Sequence, residues 1–137
     1  MTDAADLRTC ETVIGGGPEL QWRQVHPTFL KRGIVSQEAF VGTPDDRDLV
    51  STVRSSRRTA SDAHAHYTEE LGLASAGTWA VTVSEVEGVA CRAVDDAACD
   101  DVAVPGHSYI DLRGLAKAAK KAARLELARL AQLRGPQ

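Results

Sequence analysis

The chain has 137 residues, 43% of them hydrophobic and 26% charged, which suits one soluble globular domain. Aromatic content is only 4%, too little for the extended stacking surface of a single-strand binder, so Val, Leu, Ile and Ala must build most of the core. Net charge is −3, and no run approaches the roughly 18 apolar residues of a membrane span. The charge is uneven: residues 1–68 sum to −1, residues 69–112 to −8 and residues 113–137 to +6. Such an asymmetry can be satisfied within the fold, by self-association or by an outside anionic partner. The amino terminus lacks the apolar run of a secretory signal, and Cys10, Cys91 and Cys99 form an odd set without C-x-x-C spacing. Three reduced thiols in a cytoplasmic protein are the expectation.

In chain order, residues 1–18 read as a flexible amino-terminal arm ending in Gly15-Gly16-Gly17-Pro18. A single domain then spans 19–137. LQWRQV, from Leu20 to Val25, alternates like a strand, and Pro27 ends it while biasing His26 toward extended backbone. Gly33 marks a turn, followed by extended pieces at Ile34-Val35 and Ala39-Phe40-Val41. GTPDDRD is a turn by composition, and Leu49 to Val53 reads as a strand. Thr59, three residues before Asp62, is placed to cap a helix running to about Leu71 with Ala63, Tyr67 and Leu71 on one face.

TWAVTVSEV followed by GVACRAV predicts a hairpin turning at Gly88. An acidic loop with Asp95, Asp96, Asp100 and Asp101 follows. HSYIDL then alternates, with His107, Tyr109 and Asp111 opposite Ser108, Ile110 and Leu112. Arg113 to Gly135, rich in Ala, Leu, Lys and Arg, predicts a long helix stopped by Gly135-Pro136. Its apolar stripe is expected to include Leu115, Ala119, Ala122, Ala123, Leu130 and Leu133, with Lys117, Lys120, Lys121 and Arg124 opposite. The order predicts an α+β fold: a small, mostly antiparallel sheet, one short helix, and a long carboxyl-terminal amphipathic helix packed on one face.

His64 and His66 lie two apart on the predicted helix, which separates their rings by about 200° and argues against a shared metal ion. His66 instead meets Glu70 four residues on. No calcium loop, nucleophile elbow or phosphate loop is present, and neither a metal nor a cofactor is expected. The catalytic candidates are His26, Tyr67, His107 and Asp111. With Trp22, Phe29, Phe40 and Trp79 they could line an aromatic ligand pocket near His26 and His107. The plainer reading puts those aromatics in the core, His107 and Tyr109 on a solvent face, and Asp111 at the start of the last helix. Arg54, Arg57, Arg58, Lys117, Lys120, Lys121 and Arg124 are the candidates for an anion-binding surface, although the acidic balance and the missing DNA-binding motifs disfavour nucleic acid.

The pieces QVHPTFL, SQEAF and DRDLVSTV resemble those of a set of short bacterial proteins without an assigned activity. The similarity covers about residues 22–83, with HSYIDLRGL near the carboxyl end. It implies a compact stand-alone bacterial protein and assigns no site residues. The functional expectation is a small cytoplasmic accessory protein acting through a protein partner or by forming a homo-oligomer, with no membrane role. A small enzyme or ligand-binding protein comes second and a nucleic-acid contact third.

Overall fold

The computed structural model describes residues 6–137. In chain order its strands are β1 (Thr12–Val13), β2 (Leu20–Gln24), β3 (Leu30–Lys31), β4 (Ile34–Val35), β5 (Leu49–Arg54), β6 (Thr78–Thr82), β7 (Arg92–Asp95) and β8 (His107–Asp111). Its helices are α1 (Ala60–Ala65), α2 (Val83–Gly88) and α3 (Lys117–Arg134). Six strands form one antiparallel sheet in the order β1-β7-β8-β5-β2-β6, and β3 with β4 makes a separate small hairpin. The expected α+β architecture is therefore present.

Strand alternation sorts side chains onto two faces. Trp79, Val81, Val50, Ile110 and Ala93 meet Phe40, Leu127 and Ala131 in the main core, on the α3 side. Trp22 and Ala80 point the other way and pack with Ala63 of α1 in a small second core. The Thr59 hydroxyl accepts from the Asp62 amide and starts α1 as expected. The helix then widens into a π turn over His66–Glu70, in which the Leu71 amide donates to the His66 carbonyl. That wider turn rotates Leu71 off the inner face and leaves it exposed.

The predicted hairpin from Thr78 to Val94 does not form. β6 lies at one edge of the sheet, and β7 lies beyond β2, β5 and β8. Between them Thr82 caps α2: its hydroxyl accepts from the Glu85 amide while the Glu85 carboxylate accepts from the Thr82 amide. Val83 and Val86 are fully buried. Helix α3 forms where expected, but its inner face is Ala123, Leu127, Ala128 and Ala131, while Ala119, Ala122 and Leu133 are exposed. Arg124 fixes this rotation by donating to the carbonyls of Phe40 and Arg47 and to Asp48.

Residues 6–18 are not the free arm the sequence suggests, and the rest of that arm lies outside the described residues. β1 pairs with β7, the Ile14 amide donates to the Ala93 carbonyl, and Ile14 is buried. Cys10 is disulfide-bonded to Cys99, 89 residues away, so only Cys91 remains a free thiol. The two sheet edges differ. β1 pairs only with β7, whereas the outer side of β6 receives the Arg134 guanidinium on the Ala80 carbonyl and the Gln137 amide on the Thr78 carbonyl.

Candidate functional site

The four catalytic candidates are dispersed. His26 caps a 3-10 turn over Pro27–Phe29, its Nδ1 accepting from the Thr28 amide and lying 2.8 Å from the Thr28 hydroxyl. That is the bend the His-Pro pair suggests. Tyr67 lies in the π turn. His107 Nδ1 lies 2.6 Å from the buried carboxylate of Asp96. Tyr109 is buried, not on a solvent face, and donates its hydroxyl to Glu11. Asp111 does not cap α3. It is buried between Arg92 and Arg113, and although burial pushes its carboxyl up, the hydrogen bonds from Arg113 and Arg92 hold it below the usual carboxylate range. His64 Nδ1 turns to Gln24 and His66 Nε2 to Glu70, so the H-x-H rings go to separate partners.

The four aromatic candidates do not line one pocket. Phe40 is fully buried, Trp79 is 5% exposed and Phe29 packs on the same core, whereas Trp22 belongs to the α1 side and donates its indole N–H to the Arg58 carbonyl. These rings hold elements together instead of walling one cleft.

The basic candidates are divided too. Arg54 donates to Glu19 and Asp95, while Lys120 and Arg124 both reach Asp48. Three of the seven are thus consumed in ion pairs. Lys117, Lys121 and Arg57 are exposed, and Arg58 is half-buried. A further cation, the half-buried Arg23, is not among the sequence candidates. Arg23 donates to the carbonyls of Ala39, Ser51 and Val41, and burial lowers its guanidinium to about 10.

Two concave surfaces stand out among the described residues. The first, roughly 600 Å³, lies between Thr12–Gly15 and the turn after β5, with Asp95, Ala97 and Ala98 completing its walls. Its charged groups are Arg54, Arg57 and Asp95. The second, roughly 490 Å³, runs between the β3–β4 hairpin and the carboxyl-terminal half of α3. Ile34 (57% exposed), Leu125 (50%) and Leu133 (72%) lie along it. The sequence signal for this groove was Leu125, which falls outside the expected stripe, but the face it shares is set only once α3 docks. Comparison with protein families, curated proteins and solved structures finds no match.

Proposed function

We propose that this chain is a small accessory protein that self-associates through the face made by β4 and the second half of α3. The observation that supports this is the row of exposed aliphatic side chains, Ile34, Leu125 and Leu133, along one groove. A second copy suits the groove because its lining carries both signs, with Lys31 and Glu38. A two-fold partner sets each patch against itself and so needs both. The charge asymmetry of the chain does not add support, since most of the basic tail is paired within the fold. The cytoplasmic expectation rested on reduced thiols, and the Cys10–Cys99 bond favours a compartment where thiols stay oxidised. No helix among the described residues is long and apolar enough to cross a membrane.

Sedimentation velocity over a wide concentration range tests the reading. Wild-type protein is expected to dimerise, and Leu125→Asp combined with Leu133→Asp to remain monomeric with unchanged circular dichroism. Wild-type protein that stays monomeric throughout removes the self-association. Retention of the dimer in the double variant moves the interface elsewhere.

A further inference from the structure

Helix α3 carries its charges on unexpected sides. Its cations Lys120 and Arg124 turn inward to Asp48, and Arg134 reaches Glu85. The side opposite Leu127 and Ala131 holds Ala118, Ala122, Leu125, Arg129 and Leu133, three or four residues apart and all exposed. An outward helix face normally carries the charges. Here, among the described residues, its ionic contact is the donation from Arg129 to both oxygens of Glu126. These two side chains are 58% and 40% exposed, so water screens the pair and leaves it free to exchange partners.

A second copy laid on this face by a two-fold axis can run parallel or antiparallel to the first. In a parallel pair every residue meets its own counterpart, so Glu126 faces Glu126 of the partner subunit and Arg129 faces the partner's Arg129. An antiparallel pair centred on Arg129 brings the two guanidinium groups together. Centred midway between Glu126 and Arg129, it instead sets each Glu126 against the partner's Arg129. The same register sets the large Leu133 against the partner's Ala122, which is small enough to receive it. Antiparallel helices also oppose their macrodipoles favourably.

We propose that the second copy lies with its α3 antiparallel to the first and centred between residues 126 and 129. The two Glu126–Arg129 pairs then merge into one cluster of alternating charge, and each Leu133 seats on the partner's Ala122. This geometry rests on the self-association proposed above and specifies its partner surface. Leu125 and Ile34 line the groove on the flank of α3 nearer the β3–β4 hairpin and border the contact on that side. A charge cluster enclosed by aliphatic side chains is less screened than an exposed pair, and it fixes orientation more than it adds affinity.

The test is sedimentation velocity of the oxidised full chain as wild type, as Glu126→Lys, as Arg129→Glu, and as an equimolar mixture of the two variants. Each variant alone gathers like charges at the centre of the contact and is expected to weaken the dimer by at least about tenfold. Circular dichroism should be unchanged, because the Glu126–Arg129 pair is solvent-exposed. The mixture sets a basic face on an acidic one and should recover a one-to-one heterodimer. In a parallel pair, or one centred on Arg129, Arg129→Glu exchanges one self-repulsion for another and leaves the dimer as it was. A wild-type dimer that either variant leaves undiminished therefore overturns this geometry while self-association stands. So does a mixture no more dimeric than its components. A wild type that is monomeric throughout removes the self-association itself, and this geometry with it.

Discussion

Glu19 gives both of its oxygens to Arg54, and this guanidinium, aided by Ser56, holds its carboxyl down to about 2 against an ordinary 4.5. A carboxyl whose folded value is depressed contributes stability that is fully present above about 4.5 and is lost as pH falls toward 2. Urea midpoints are therefore expected to be flat above that range and to drop below it, with a shallower drop in Glu19→Gln. An equally steep drop in the variant would transfer the acid sensitivity to Glu11, Asp48, Glu85 and Asp111, whose carboxyls are also lowered. None of this was legible along the chain. Arg54 reads as a free cation in the run Arg54-Ser-Ser-Arg57-Arg58, and its partner Glu19 stands 35 positions away. Only the sheet register, which sets Gln21 opposite Arg54, brings them together. Arg57 carried the same signal and has no ion pair among the described residues.

Among the elements, α2 shows how a local cue can be present and overridden. Thr82-Val-Ser-Glu85 carries the spacing of a capping box, but Trp79, Val81 and Val83 keep a two-residue period straight through it. Val83 is buried whether the backbone continues as strand or turns into helix, so alternation alone does not separate the two. Thr82→Ala is expected to cost about 1 kcal/mol in chemical denaturation, with Thr82→Ser recovering most of it. A negligible cost would mean that α2 is held by Val83 and Val86 alone. For α3, composition was sufficient to place the helix but not to orient it. Ala and Leu occur nearly all round, so several stripes compete, and Asp48 with the Phe40 and Arg47 carbonyls selects the one that turns Lys120 and Arg124 inward. The strands β2, β5 and β8 were legible because each has one apolar face to declare.

For the molecule as a whole, most of the basic tail is paired within the fold, with Asp48 as well as with the acidic middle. Arg134 pairs with Glu85, Arg113 with Asp111, and Lys120 and Arg124 with Asp48, while Arg8 reaches Asp101. The amino-terminal segment is also joined covalently to the acidic loop. In the chain-entropy picture a sequence separation of 89 makes the Cys10–Cys99 bond worth about 4.6 kcal/mol. Urea unfolding with and without a reductant, or of Cys10→Ser combined with Cys99→Ser, measures it. An unmoved midpoint would mean that the reduced unfolded chain is already comparably restricted. Cysteine spacing alone could not reveal this pairing, because three thiols allow three choices and only the β1–β7 ladder brings Cys10 beside the acidic loop.

The unequal margins of the sheet carry one more consequence. A polymer built by backbone pairing needs two different sticky borders on every unit, so that each addition regenerates the border it used. Here Arg134 and Gln137 take the Ala80 and Thr78 carbonyls on the outer side of β6, whereas among the described residues no strand pairs with the outer side of the two-residue β1. At this sheet, strand-to-strand addition is left to β1, and a pair joined β1 to β1 uses up that border.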